Sequence, residues 1–172
     1  MPNKPRDMIK YVPEMTSVVI EEIPDEVTLA VDISECQGNC VGCHSPFLKE
    51  SVGEELTESV IDRLVADNYG LTCFLFLGEG RDCSTLLSLA EHVRSLGLKP
   101  ALYSGRFEVE DKFFDVFDYV KVGPYLAEYG PLNSRTTNQR LYAVSRGADG
   151  KRSLSDITYR FWRKGIDPNV NR

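Results

Sequence analysis

The chain has 172 residues, with 20 Lys+Arg against 26 Asp+Glu and a formal net charge of −6. That length favours one domain, able to bury a core without disulfide staples. An apolar share of 42% and a charged share of 27% are those of an ordinary soluble globular protein. The negative balance argues against nucleic acid held by bulk charge, and no apolar run approaches the ~18 residues of a membrane span.

Residues 1–16 are polar, carry Pro2, Pro5 and Pro13, and read as an N-terminal arm with little structure of its own. Residues 1–10 lack the apolar stretch of a signal peptide. Val18, Val19 and Ile20 predict a short edge strand, and residues 27–33 (VTLAVDI) a buried one. Thr57 is placed to N-cap a helix running to about Asp67, with Val60, Ile61, Leu64 and Val65 on one face. Residues 73–77 (CFLFL) predict a second buried strand, broken by Gly78-Glu79-Gly80. A helix over 84–95 turns Leu86, Leu87, Leu89, Ala90 and Val93 inward and stops at Gly97. Residues 101–104 predict a third strand. A short helix over 109–117 follows, with Phe113, Phe114 and Phe117 on its packed face. Residues 119–122 predict a fourth strand ending at Gly123-Pro124, and residues 141–144 a fifth. From about Arg146 the chain is basic (Lys151, Arg152, Arg160, Arg163, Lys164) with Tyr159, Phe161 and Trp162 interleaved. The division is thus an arm (1–16), an α/β domain (17–145) and a basic, aromatic tail (146–172).

Strands alternating with helices at this spacing predict βαβ units and a mainly parallel sheet. In such sheets the chemistry sits beyond the carboxyl ends of the strands. A cysteine-rich loop, Gly78-Glu79-Gly80, Ser104-Gly105 and Gly123-Pro124 each follow a predicted strand, so all four are expected at one rim.

The cysteine loop reads Cys36-Gln37-Gly38-Asn39-Cys40-Val41-Gly42-Cys43-His44, a C-x3-C-x2-C spacing. Thiolates this close converge on one metal centre, and Gly38 and Gly42 let the backbone wrap it. Three readings follow: buried cysteines packed as small apolar groups, structural zinc with His44, Cys73 or Cys83 as a fourth ligand, or an iron–sulfur cubane with three protein ligands and one open iron. Cys73 opens a buried strand and Cys83 a helix, and both read as structural. An odd total of five cysteines without an export signal points to a reducing, cytoplasmic setting.

The C-x3-C-x2-C motif resembles the signature of the radical S-adenosylmethionine superfamily. More narrowly, the segment 22–27 leading into Cys36, the run Cys40-Val41-Gly42-Cys43-His44-Ser45-Pro46, and Gly130-Pro131-Leu132 with Thr136-Thr137-Asn138-Gln139-Arg140 are similar to the activating proteins of anaerobic ribonucleoside-triphosphate reductases. The resemblance spans about residues 17–145. Gly42 stands where many radical enzymes carry an aromatic; the activating proteins of this subfamily tend to have glycine there. Leu77-Gly78-Glu79 stands where Gly-Gly-Glu is usual.

The resemblance implies a partial, incomplete parallel β/α barrel, shorter than a full eight-stranded one. It implies a [4Fe-4S] cluster on Cys36, Cys40 and Cys43, the residues that carry the catalysis, and S-adenosyl-L-methionine on the open iron. Glu79 would accept from the methionine ammonium, with Gly78 and Gly80 letting the loop pass close. Ser104 would bond the ribose or carboxylate, and Lys121 or Asp118 a sugar or carboxylate. His44 would neighbour the adenine. Asp32 either orients the cluster loop or caps its turn, and Asn138-Gln139-Arg140 contacts the cofactor or the partner. The implied activity is that of a glycyl-radical activating oxidoreductase acting on the large reductase, with flavodoxin or ferredoxin as electron donor. The alternatives are a radical enzyme with a small substrate, similar to deazapurine carboxylate synthases, and a non-catalytic, metal-stabilised interaction module.

Overall fold

The computed structural model describes residues 7–37 and 46–162. The main sheet has seven strands in the order β2-β3-β5-β6-β7-β8-β9. They are β2 (Ser17–Val19), β3 (Thr28–Asp32), β5 (Cys73–Leu77), β6 (Lys99–Tyr103), β7 (Tyr119–Val122), β8 (Arg140–Arg146) and β9 (Arg152–Asp156). Strands β1 (Lys10–Tyr11) and β4 (Glu54–Glu55) form a separate two-stranded ribbon. The central four strands are parallel, whereas β2, β8 and β9 pair antiparallel, so the protein is α/β with a mixed sheet.

Three α-helices, α1 (Glu58–Asp67), α2 (Cys83–Ser95) and α3 (Asp111–Val116), connect the parallel strands. The Thr57 hydroxyl caps α1 by accepting the Val60 N–H, and the Asp82 carboxylate caps α2 by accepting the Thr85 N–H. Strand order advances from β3 to β7 without reversing, so right-handed crossovers place every helix on the same side. One core accordingly joins Leu29, Val31, Phe74, Phe76, Leu102, Val120 and Val122 to Ile61, Leu86, Leu89, Val93, Phe113 and Phe114. The alternate strand residues, Ala30, Cys73, Leu75 and Ala101, face a smaller core closed by Ile23 and Leu141, with Ile157 and Phe161 against it. Burial on both faces is why these strands read as continuous apolar runs.

Three expectations are corrected, and one strand takes a direction that its residues left open. The described part of the expected arm, residues 7–16, packs onto the domain: Ile9 and Tyr11 are each 1% exposed, and β1 pairs with β4 while Tyr11 bridges Ile33. Burying two large apolar side chains holds this segment despite its prolines. Nor does the domain end at 145, because β9 extends the sheet and Thr158 Oγ1 accepts the Leu141 N–H at 2.9 Å. The fifth strand of the main run, β8, is antiparallel to β7, since the connection 123–139 contains no crossover helix to reverse the chain. Asp118 lies just before β7, at the end of the sheet opposite the rim, where Arg94 and Arg146 reach it at 3.3 and 2.7 Å. It is therefore not a rim ligand. Among the described residues no helix is long and apolar enough to cross a membrane.

Candidate functional site at the carboxyl rim

The loops after β3, β5, β6 and β7 meet at one rim, joined by backbone bonds. Ile33 N–H donates to Leu77 O (3.1 Å), Gly78 N–H to Tyr103 O (3.0 Å) and Ser104 N–H to Lys121 O (2.8 Å). The Gly123 N–H donates to the Arg106 carbonyl at 2.6 Å. Each loop is thereby fixed to the next.

Of the three motif cysteines the structure describes Cys36, which is half-buried; Cys40, Cys43 and His44 lie outside the described residues. The neck of the loop is closed by two bonds, Cys36 N–H to Leu48 O at 2.8 Å and Glu35 N–H to Glu50 O at 3.1 Å. Glu35 takes a φ of 61°, a conformation L-residues rarely adopt, and turns the chain sharply out of β3. Its carboxylate is buried against Arg81 Nε at 3.2 Å, which fastens the cysteine loop to the loop after β5. Gly80 makes that approach possible: at φ 65° a Cβ there would meet Ile9 Cδ1 at 3.0 Å and Ile33 Cγ2 at 3.2 Å.

Glu79 is the most informative side chain of the rim. Its Oε2 accepts from Arg106 Nε at 2.9 Å, and its side chain is 13% exposed. Its Oε1 is buried and has no hydrogen-bond partner among the described residues. A buried carboxylate oxygen without a donor is costly and uncommon in a native structure. Burial raises the Glu79 pKa; the Arg106 guanidinium acts the other way, as does the Ser104 hydroxyl, which lies near the carboxylate without meeting hydrogen-bond geometry at Oε1, and Glu110 adds a like charge. Ser104 is fully buried beside it, its Oγ accepting the Arg106 N–H at 3.1 Å. Asn138 carries a second orphan: its Nδ2 donates to Pro124 O at 3.0 Å, while its Oδ1 is buried without a partner among the described residues.

Lys121 does not join Glu79. It projects from the sheet face opposite the helices, where Nζ donates to Gln139 Oε1 at 2.8 Å and lies 5.1 Å from the Tyr103 ring centroid. Asp32, the last residue of β3, is half-buried, and burial with the charge of Glu22 raises its pKa. Cys73 is fully buried, with burial pushing its thiol up to about 12, so it stays protonated and packs as a small apolar group. Among the described residues no set of three His, Cys, Asp or Glu side chains is arranged to hold a metal ion. Arg81 and Arg106 were not singled out from sequence. The available signal was an arginine directly after Gly80 and Gly105, in the loops that follow β5 and β6.

Compared with family models, with curated proteins and with solved structures, the chain matches none.

Proposed function

We propose that this protein is a radical S-adenosylmethionine enzyme that activates an anaerobic ribonucleoside-triphosphate reductase by forming a glycyl radical on it. The observation that carries the reading is the Glu79 carboxylate, which has one oxygen on Arg106 and one buried without a donor among the described residues, on the loop fastened to the neck of the cysteine loop. An α-ammonium supplies the donor that Oε1 lacks. The unbroken strand order and the one-sided helices support reading the sheet as part of an incomplete parallel barrel with an open side. An open side suits a substrate that is itself a protein loop.

Cys36, Cys40 and Cys43 would hold a [4Fe-4S] cluster through three thiolates, with S-adenosylmethionine beside it. Bound there, the pair would supply one-electron reductive cleavage of the sulfonium and, through it, hydrogen-atom abstraction from a glycine Cα of the partner. The chain's own groups bind and orient: Glu79 holds the ammonium, Gly78 and Gly80 allow close approach, and Ser104 steadies the loop that carries Arg106. His44 and Lys121 are assigned to the adenine and to a sugar or carboxylate. A one-electron donor such as flavodoxin or ferredoxin completes the system, whose radical chemistry belongs in a reducing cytoplasm.

The test is anaerobic reconstitution with iron and sulfide, followed by incubation with the reductase, S-adenosylmethionine and a reductant. The expected results are a broad absorbance near ~400 nm, as general cluster behaviour gives, and a glycyl-radical resonance in the reductase. Material that binds no iron under these conditions overturns the reading.

A further inference from the structure

We infer that Arg106 is a positioning residue for Glu79, fixing the carboxylate so that one oxygen stays open to the cation of an incoming α-amino acid group. The inference rests on the cofactor reading above and extends it to a residue outside the motifs. Two oxygens of one carboxylate are treated differently: Oε2 is occupied by Arg106 Nε at 2.9 Å and Oε1 is buried without a partner among the described residues. A guanidinium held on one oxygen restricts the carboxylate's rotation and leaves the other oxygen's lone pairs open. Arg106 is itself tied down through its backbone, donating to Ser104 Oγ at 3.1 Å and accepting from Gly123 N–H at 2.6 Å. Its head group is therefore delivered from a point clamped between the loops after β6 and β7. The burial of Glu79 and the nearby Glu110 both favour the neutral acid, and Arg106 opposes them. A neutral Glu79 would lose the charge that attracts an ammonium. The arginine side chain is 59% exposed, so little of the fold depends on it.

The experiment measures the dissociation constant of S-adenosylmethionine on the anaerobically reconstituted full chain, with iron content and melting temperature recorded for every variant. Arg106→Gln is expected to weaken binding about 10–100-fold, the worth of a charge-assisted hydrogen bond, at unchanged iron content. Arg106→Lys, which keeps a cation, is expected to recover most of the loss. Glu79→Gln is expected to weaken binding as well, and the double variant Glu79→Gln/Arg106→Gln to be no worse than Glu79→Gln alone, since Arg106 acts through Glu79. Unchanged or tighter binding in Arg106→Gln, with Glu79→Gln still impaired, overturns the positioning role and leaves the cofactor reading standing. Losses that multiply in the double variant overturn it too. Affinity indifferent to Glu79→Gln overturns the cofactor reading itself, and this inference with it.

Discussion

Lys99, the first residue of β6, donates to the Glu26 carboxylate at 2.5 Å across the amino end of the sheet, opposite the rim that carries Glu79. The Tyr119 hydroxyl donates to the same carboxylate oxygen at 2.8 Å. Burial alone would raise the Glu26 pKa, yet the bonds from Lys99, Thr72 and Tyr119 outweigh it and hold the carboxyl below its ordinary 4.5. The two acidic centres thus differ in sign: Glu26 is held ionised by donors, whereas Glu79 is raised by burial despite its arginine.

Linkage turns the Glu26 shift into a stability prediction. A carboxyl whose folded pKa is lowered contributes stability that is complete above its unfolded value and is lost as pH falls through the folded one. Glu26→Gln should therefore flatten the acid limb of the stability curve below about pH 4.5. At neutral pH it should cost about 1–2 kcal/mol, the half-exposed Lys99 limiting the Coulomb part. Urea denaturation of both proteins from pH 3 to 7 checks this. Equal slopes in the acid range would show that Glu26 carries no proton-linked stability.

Arg146, the last residue of β8, closes the end of α3. Its guanidinium donates to the carbonyls of Phe114, Asp115 and Phe117 at 2.9, 3.0 and 3.2 Å and to Asp118 Oδ1 at 2.7 Å. Terminal carbonyls lack intrahelical donors, and a cation there also matches the helix dipole. Arg146→Met keeps the aliphatic stem and removes the fork, and should cost about 1–3 kcal/mol. Arg146→Lys should recover only part of this, because one ammonium cannot span the same acceptors. Thermal melts of the two variants provide the comparison, and full recovery by lysine would refute the role of the planar fork.

Gly53 holds the ribbon that seals the N-terminal segment. At φ 85° a Cβ there would lie 2.0 Å from the Tyr11 carbonyl oxygen, a backbone atom that cannot step aside without breaking the β1–β4 pairing. Gly53→Ala should destabilise the fold by about 1–3 kcal/mol from backbone strain. Amide exchange around Ile9 and Tyr11 should accelerate more than in α2. Uniform acceleration through the chain would mean that the ribbon is not a separate anchoring unit.

The helices and inner strands were legible because their signals are local. Thr57 and the spacing of Val60, Ile61, Leu64 and Val65 announce α1, and the glycines at 78, 80, 97 and 123 mark element ends, all with positive φ. The burial of Ile9 and Tyr11 was not legible, because their partners, Ile33 and residues 54–55, lie far along the chain while Pro2, Pro5 and Pro13 argue locally for an arm. The direction of β8 was hidden for a similar reason: direction follows from whether a crossover helix intervenes, and residues 123–139 make turns instead. At the site, Glu79 stood out beside its glycines. Arg106 did not, since its role exists only once β5 and β6 lie side by side. Asp118 was assigned to the site through the resemblance, although the strand at 119–122 already puts it at the amino end, away from the rim.

The cysteines divide by burial, and that division tests whether the motif thiols are the ones that matter. Cys73 is fully buried with its thiol pushed up to about 12, while Cys36 and Cys83 are half-buried, Cys83 at the first turn of α2. Reactivity follows the thiolate and its access. Native metal-free protein treated with iodoacetamide should therefore label Cys83 and Cys36 while Cys73 stays unmodified until the chain is unfolded, as mass spectrometry of peptides would report. Cys73→Ala should cost about 1 kcal/mol of packing and leave the iron bound after reconstitution unchanged, and Cys83→Ser should do the same for iron. Cys36→Ser should abolish stable iron binding, because a cubane left with two protein thiolates has lost the set that holds it. Iron retention in Cys36→Ser, or its loss in Cys73→Ala with the fold intact, would move the metal centre away from the carboxyl rim and detach Glu79 from it.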